Sequence, residues 1–246
     1  MPETLSKTIE LGQIDFINCL PVSLEQANFS HRVHHGSPSE LNAMLRAGEL
    51  DLAPISSFEY LSNKAQYQLL EGISISSKVQ ADSVLLFCEG ELEQAKEIYL
   101  TNKSATSINL LKIILVKNYG LKLNAIKFIS FDQPSPEMKF KLLIGDEALQ
   151  QSGSCIDLGE EWHKLTGLPM VFGLWVMNIN SDLINQASQI SQALQASKNY
   201  ALNEGLPDLI IQAYQQTGLR KEVLKQYFEN IIYDFNQEHK ASLELF

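Results

Sequence analysis

Apolar residues in the first half of the chain occur in short strand-like runs that alternate with helix-like stripes. The predicted strands span residues 8–17, 50–55 and 83–88, with a helix predicted over 41–47. From Glu91 the alternation begins again, with strands predicted over 97–100, 125–131 and 142–144 and a helix over 107–118 that ends before Gly120. Short strands that alternate with helices are typical of an α/β fold.

Two apolar segments, 83–88 and 170–177, bracket this second block of strands and helices. We interpret them as strands that cross to a second lobe and back. This predicts two lobes with a cleft between them: residues 1–87 and 178–246 form a discontinuous first lobe, and residues 88–177 form the second. From Ser181 onward the period is helical. An apolar stripe there predicts a packing face over the first lobe or a dimer surface, and it comprises Tyr227, Phe228, Ile231, Ile232 and Phe235.

The composition excludes several classes of protein. Of the 246 residues, 45% are hydrophobic and 20% are charged, which is typical of a globular protein. The formal net charge is −10 and no cluster of Lys and Arg occurs, which argues against a nucleic-acid partner. The first seven residues lack the pattern of an export signal, and no run of about 18 apolar residues occurs. We therefore expect a cytoplasmic protein without a membrane partner.

Candidate ligands for a metal or a cofactor are few. Cys19, Cys88 and Cys155 lie far apart and form no C-x-x-C pair, which argues against a zinc site or a disulfide. Neither a P-loop nor a G-x-G-x-x-G motif occurs. We expect no metal and no organic cofactor.

The segment 36–42 has the pattern of a helix start. Ser37 suits the N-cap position, Pro38 suits the first helical position, and Glu40 completes an S-x-x-E capping box. Such a start leaves backbone N–H groups free, so it would bind a carboxylate or a phosphate if Ser37 faced the cleft. The alternative is that the capping box only caps the helix.

Polar side chains follow several predicted strands, at the positions where ligands bind in open α/β sheets. They are Asn18, Ser37, Ser56, Ser57, Ser104, Thr106, Ser107 and Asp146. Each Ser or Thr also suits a simple helix cap. We predict a cleft whose walls include Asn18, Ser37, Ser56, Ser83, Thr106, Ser107 and Asp146.

Several segments, in their order along the chain, carry a resemblance to a known family. They are Ile17-Asn18-Cys19-Leu20-Pro21, residues 36–42, residues 48–57, Asp82-Ser83-Val84-Leu85-Leu86, Ser104-Ala105-Thr106-Ser107, residues 143–149 and residues 157–169. With them the chain resembles, over nearly its whole length, the menaquinone-biosynthesis proteins of the futalosine route, and most closely the chorismate dehydratases. Cys19 and residues 78–82 depart from the family pattern, and the second departure concerns the loop that closes over the ligand.

The resemblance implies a two-lobed, periplasmic-binding-protein-like fold of type 2 with an interlobe cleft. It also implies a hydro-lyase that removes water from chorismate to give 3-[(1-carboxyvinyl)oxy]benzoate in menaquinone biosynthesis. The expected partner is thus a small dicarboxylate, bound by a monomer or a homodimer. One helix start from each lobe, at residues 37–40 and 104–107, would hold one carboxylate. The expected substrate-binding residues are Ser37, Ser39, Ser56, Ser57, Thr106 and Ser107, and the expected catalytic residues are Asn18, Ser83 and Asp146.

Acid–base groups are few among these candidates. The histidines are predicted to be solvated, on a loop for His34 and His35 and on the surface for His31, His163 and His239. Asp146 follows a strand and opens a helix, so it either caps that helix or directs a carboxylate into the cleft as a general acid or base. Asn18 cannot act as a base, although it can hold the substrate by hydrogen bonds. A carboxylate of the substrate itself is then a candidate proton acceptor.

Two other functions stay open. One is the sister enzyme of the same route, which forms 1,4-dihydroxy-6-naphthoate from cyclic dehypoxanthinyl futalosine. That enzyme is expected to use a histidine near the helix start of the second lobe, and residues 104–107 contain none. The other is a non-catalytic protein that binds a small anion, against which the absence of an export signal and of a helix-turn-helix segment argues.

Overall fold

The structure is a computed structural model that describes residues 7–24 and 29–246. Its strands are β1 (Ile9–Ile14), β2 (His31–Gly36), β3 (Leu52–Ser56), β4 (Tyr67–Ser77), β5 (Val84–Cys88), β6 (Glu97–Thr101), β7 (Lys127–Phe131), β8 (Phe140–Ile144), β9 (Cys155–Asp157), β10 (Met170–Asn178) and β11 (Ile231–Ile232). Its helices are α1 (Pro38–Ala47), α2 (Ser57–Ser62), α3 (Ala105–Lys117), α4 (Asp146–Gln150), α5 (Leu158–Thr166), α6 (Ala187–Leu202), α7 (Leu206–Thr217), α8 (Lys221–Asn230) and α9 (Gln237–Leu245). The predicted α/β fold is confirmed.

Six strands form the first sheet, in the order β11-β4-β10-β3-β1-β2. β1 runs parallel to β2 and β3, whereas β10 runs antiparallel to β3 and β4. Gly12 lies so close to β3 that a Cβ atom there would come within 2.8 Å of the Ala53 Cβ atom, an approach that only glycine permits. Helices α1, α2, α6 and α9 pack against this sheet. We call this sheet with these helices the first lobe.

Five strands form the second sheet, in the order β7-β6-β8-β5-β9. Leu110 and Ile114 of α3 and Trp162 of α5 pack with Ile98 and Leu142 of the strands in a core that is separate from the core of the first sheet. Burial of these large side chains supplies the main stabilisation of the unit. We call this sheet with α3, α4 and α5 the second lobe.

The strands predicted to cross between the lobes each belong to a single sheet. β5 pairs with β8 and β9, and β10 pairs with β3 and β4. The predicted boundaries at 87/88 and 177/178 therefore fall inside strands and need correction. The chain crosses between Ser77 and Val84 and returns between Thr166 and Met170. Backbone hydrogen bonds to both neighbours hold a strand within one sheet, so the irregular segments make the crossings.

Two strands of the first sheet, β2 and β4, lie outside the predicted elements. β2 contains His34 and His35, so the expectation of loop histidines is wrong. His34 Nε2 lies 2.5 Å from Glu10 Oε2, and His35 Nδ1 lies 2.7 Å from Asp15 Oδ1. The predicted surface position of His239 is also wrong, because its side chain closes the N-terminal turn of α9 and is only 3% exposed.

The C-terminal helices form a third layer. Tyr227 and Phe228 of α8 are buried with Leu209 of α7 and with Ile17, which follows β1. β11 pairs with β4, so this layer is fixed to the first sheet. The burial of Tyr227 and Phe228 agrees with the predicted packing face, but the predicted helical stripe ends with α8, because Ile231 and Ile232 form β11. No helix in the described part of the chain is long and apolar enough to cross a membrane.

Candidate active site

A cavity lies between the two lobes, with α8 of the C-terminal layer at one side. Its space is about 720 Å³, part of it open to solvent. The polar side chains that line it are Asn18, Ser56, Ser76, Ser77, Ser83, Ser104, Ser107 and Tyr227. Among the described residues that line the cavity, none is Asp, Glu, His, Lys or Arg. The cavity therefore presents hydroxyl and amide groups between apolar walls.

Asn18 lies in a short 3-10 turn after β1, between Ile17 and Cys19. Its backbone carbonyl accepts a hydrogen bond of 2.9 Å from the Tyr233 hydroxyl, which holds the turn. Its side-chain Oδ1 atom is buried and has no hydrogen-bond partner. A buried acceptor without a partner is unfavourable by about 1–3 kcal/mol. A ligand in the cavity that donates to Oδ1 would remove this penalty.

Ser83 directly precedes β5 and is 5% exposed. Its Oγ atom accepts a hydrogen bond of 2.9 Å from the Tyr227 hydroxyl of α8. Burial raises the pKa of Tyr227, so the phenol stays protonated and remains a donor at neutral pH. The second lobe and the C-terminal layer thus meet at a hydroxyl pair on the cavity wall.

The N-terminus of α3 faces the cavity through Ser104 and Ser107. Ser104 is the N-cap, and its Oγ atom accepts from the Ser107 backbone N–H at 3.2 Å and lies 3.0 Å from the Ser107 Oγ atom. No acidic residue occurs in the first turn of α3. The partial positive charge of this helix end is therefore not neutralised within the helix. Lys103 directly precedes it, although its ammonium group pairs with Glu147 at 2.5 Å.

The first lobe contributes serines from two elements. Ser56 ends β3 and caps α2, accepting from the Glu59 backbone N–H at 3.3 Å. Ser76 and Ser77 end β4 and are each 2% exposed. Ser76 shares a hydrogen bond of 2.8 Å with Ser74, so its hydroxyl is held at a fixed position in the wall. These serines are the hydroxyl groups that the first lobe adds to the cavity wall.

Four of the predicted substrate-binding residues do not line the cavity. Ser37 forms the predicted capping box with Glu40, donating to Oε2 at 2.7 Å, and the exposed Ser39 contacts Ser37. The fully buried Ser57 donates to the Val171 carbonyl at 2.6 Å. Thr106 accepts from the backbone N–H of the residue after Ser57 at 2.9 Å, which ties α3 to α2. Each of these four hydroxyl groups has a hydrogen-bond partner within the protein, so their role in the structure is capping or packing.

Asp146 is also not among the cavity residues. It neither caps α4 nor points into the cleft: the N-cap position belongs to Gly145, which has a φ of 59°. Asp146 Oδ1 accepts from the Ile17 backbone N–H at 3.2 Å, and Oδ2 accepts from Gln216 Nε2 at 2.9 Å. Gln216 Nε2 also donates to the Asp15 carbonyl at 2.6 Å. Burial raises the pKa of Asp146, while these hydrogen bonds oppose the rise. The carboxyl group joins the second lobe to the turn that carries Asn18.

The cavity brings together Asn18, Ser56, Ser83, Ser104 and Ser107, which the sequence analysis singled out, and adds Ser76, Ser77 and Tyr227. Tyr227 is a cavity residue that the sequence analysis assigned to a packing face or a dimer surface. A tyrosine in a buried stripe needs a partner for its hydroxyl, and this is the signal that could have identified it. In residues 7–24 and 29–246, no group of three His, Cys, Asp or Glu side chains is placed to hold a metal ion.

Comparisons with known proteins agree with this architecture. A family model described as menaquinone biosynthesis matches residues 9–246. A chorismate dehydratase of Thermus thermophilus is 27% identical and covers 96% of this chain and 93% of its own length. A chorismate dehydratase of Campylobacter jejuni is 28% identical, with 96% and 94% covered.

Solved structures identify the fold. The periplasmic aliphatic sulphonate binding protein of Escherichia coli is 12% identical, with a TM-score of 0.69 and with 98% of this chain and 90% of that chain covered. At this identity the likeness shows the fold alone, and it confirms the periplasmic-binding-protein-like architecture. Because the family model covers nearly the whole chain, the protein belongs to the menaquinone biosynthesis family.

Proposed function

We propose that this protein removes water from chorismate to form 3-[(1-carboxyvinyl)oxy]benzoate, as a carbon–oxygen lyase of menaquinone biosynthesis. The observation that carries the proposal is the buried Asn18 Oδ1 atom, which has no hydrogen-bond partner and belongs to a residue that lines a cleft rich in hydroxyl groups. Family membership and two relatives named chorismate dehydratase, at 27% and 28% identity, support the substrate.

The polar groups of chorismate complement those of the cavity. Chorismate has a hydroxyl that is lost in the reaction and two carboxylates that are kept. Asn18 Oδ1 accepts from the substrate hydroxyl and so orients the leaving group, while Ser83 donates to the same oxygen. Both roles need only one acceptor and one donor that line the same cavity.

The two carboxylates are assigned one to each lobe. One binds at the start of α3, where Ser104 and Ser107 offer hydroxyls beside the positive end of the helix. The other binds the serines of the first lobe, chiefly Ser56 and Ser77. A substrate held from both sides favours closure of the lobes, and closure excludes water from the reacting groups.

The elimination breaks a ring C–H bond and the C–O bond of the hydroxyl. The electron pair of the C–H bond forms the new ring double bond, the ring becomes aromatic, and the proton and the hydroxyl leave as water. Because the described cavity residues include no side-chain base, we assign proton acceptance to a carboxylate of the substrate, which then passes the proton to the departing hydroxyl so that water leaves. Asp146 then positions the turn at Ile17 and does not transfer the proton.

The test is incubation of the purified protein with chorismate, followed by ultraviolet absorbance and mass of the product. We expect an aromatic product that has lost one water. Binding of chorismate without turnover would support the non-catalytic alternative and contradict the proposal. Turnover of cyclic dehypoxanthinyl futalosine without turnover of chorismate would support the sister enzyme. The cytoplasmic location and the oligomeric state stay predictions.

A further inference from the structure

Helix α8 contacts the beginning of the second lobe at two adjacent residues. The Tyr227 hydroxyl donates to Ser83 Oγ at 2.9 Å, and Asn230 Nδ2 donates to Asp82 Oδ2 at 2.6 Å. Tyr227 and Ser83 line the cavity, whereas Asn230 and Asp82 do not. The same helix therefore makes one contact inside the site and one outside it, less than one helical turn apart.

The hydrogen bonds of Ser83 leave its proton weakly engaged. A serine hydroxyl has one proton to donate and two lone pairs that accept. The Tyr227 hydroxyl occupies one lone pair. Within the described residues, the acceptor near the Ser83 proton is the Ala81 carbonyl at 3.4 Å, well beyond the usual 2.7–2.8 Å for a hydroxyl donor. The Ser83 proton is therefore free to turn to an oxygen in the cavity.

We propose that Tyr227 is a positioning residue that holds the Ser83 hydroxyl as a hydrogen-bond donor toward the departing oxygen of the substrate. The inference rests on the proposed dehydration. The Tyr227 O–H donates to one lone pair of Ser83 Oγ. The Ser83 proton cannot point toward Tyr227 while this hydrogen bond is present, so the direction of the Ser83 O–H bond is restricted.

The surroundings of Tyr227 suit this role. Its side chain is 2% exposed and is buried in the cluster that includes Ile17 and Leu224. The ring of Phe228 lies 5.8 Å from the Tyr227 ring, tilted by 51°. A packed ring has few rotamers, so the hydroxyl stays in one place while the lobes move. The raised pKa of the buried phenol keeps the proton on Tyr227 near neutral pH.

The test is a double-mutant cycle on the dehydration of chorismate with Tyr227→Phe, Ser83→Ala and the combined variant. Tyr227→Phe keeps the ring and removes only the donor, and we expect kcat to fall about tenfold with KM changed less than about twofold. In the Ser83→Ala background the same change should alter kcat by less than about twofold. Losses that multiply in the combined variant would overturn the proposal.

A second readout separates positioning from a purely structural role. The product, 3-[(1-carboxyvinyl)oxy]benzoate, keeps both carboxylates but lacks the departing oxygen. Its calorimetric affinity for Tyr227→Phe should therefore stay within about twofold of the wild-type value. Asn230→Ala, which removes the neighbouring contact outside the cavity, should leave kcat within about twofold. If Tyr227→Phe also lost affinity for the product, or if Asn230→Ala lost as much kcat as Tyr227→Phe, the role of α8 would be only to hold the second lobe in place.

The two proposals fail in different ways. If the wild-type protein does not dehydrate chorismate, the proposed function is wrong and this inference falls with it. If the wild-type protein is active and Ser83→Ala is equally active, the dehydration stands, and the roles assigned to Ser83 and Tyr227 are overturned. Thermal unfolding of each variant establishes that the compared proteins are folded.

Discussion

The starts of α1 and α3 are both capped by serine, yet only α3 places its capping serine on the cavity wall, where α1 contributes Pro38. In α1, Ser37 and Glu40 bond to each other in both directions, and these hydrogen bonds lower the pKa of Glu40. In α3 the residue at the position of Glu40 is Ser107, which carries no charge. The N-terminus of α1 thus has its own carboxylate, whereas that of α3 does not.

The difference shows which helix start suits an anionic ligand. A carboxylate within the first turn already occupies the favourable electrostatic position at a helix N-terminus. The capping box that predicts α1 so well therefore argues against its use as an anion site. The start of α3, with Ser104 and Ser107 on the cavity wall, has the same dipole and no internal carboxylate.

The largest expected effect on ligand affinity comes from giving α3 the kind of start that α1 has. Ser107→Asp places a carboxylate in the first turn of α3, where it repels a ligand carboxylate. We expect the affinity for 3-[(1-carboxyvinyl)oxy]benzoate to fall about a hundredfold, since juxtaposed like charges cost several kcal/mol. Calorimetry measures this loss. Ser107→Asn has the same size without the charge and should bind at least about tenfold better than Ser107→Asp; equal affinities would attribute the loss to size alone.

Asn18→Ala tests the contribution of the first lobe, which we assign to the turn after β1 and not to α1. The change removes the unpartnered acceptor of the cavity. We expect kcat for chorismate to fall between about tenfold and a thousandfold, because the leaving hydroxyl loses its orientation. Thermal unfolding should change little. A kcat near the wild-type value would reject the assignment.

Asp146→Asn distinguishes a positioning group from a proton-transfer group. Asn keeps an acceptor for the Ile17 backbone N–H, so we expect kcat to fall less than about tenfold and both limbs of the pH–rate profile to remain. A loss beyond about ten-thousandfold with the fold intact would make Asp146 the acid or base.

The same variant has an expected signature in the pH dependence of stability. Burial raises the pKa of Asp146 in the folded protein, so the folded state holds this proton more tightly than the unfolded chain does. The resulting stabilisation is complete below the unfolded pKa and is lost as the pH rises through the raised folded pKa. The free energy of unfolding of the wild type, relative to Asp146→Asn, should therefore decline across that interval. Denaturant titrations at several pH values measure this difference in the free energy of unfolding. An increase of the difference with pH would contradict a raised pKa of Asp146.

The smallest effect is expected at the closed helix start. Ser37→Ala removes the cap of α1 and should lower the free energy of unfolding by about 1 kcal/mol. The affinity for the product should stay within about twofold, because the Ser37 hydroxyl is engaged with Glu40. A tenfold loss of affinity would show that the start of α1 contributes to ligand binding, and the proposed difference between α1 and α3 would be wrong.

Local patterns predicted the elements that depend on neighbours in sequence. The capping box places the start of α1 correctly because Ser37 and Glu40 lie within one helical turn. β2 was not predicted, since its sequence His-Arg-Val-His-His lacks apolar alternation and is held by parallel pairing with β1. Partners distant in sequence also decide the site. Gln216 engages Asp146 from 70 residues away, and Tyr227 engages Ser83 from 144 residues away. The pattern of hydrophobic and polar residues does not predict contacts between residues so far apart in sequence.

The central claim is that the ligand binds between the open start of α3 and the Asn18 turn. A crystal structure with bound 3-[(1-carboxyvinyl)oxy]benzoate tests it most directly. We predict one carboxylate within hydrogen-bond distance of Ser104 or Ser107 and no ligand atom in contact with the Ser37 hydroxyl. A carboxylate seated at the start of α1, or a product bound outside the cavity that Asn18 lines, would contradict the account.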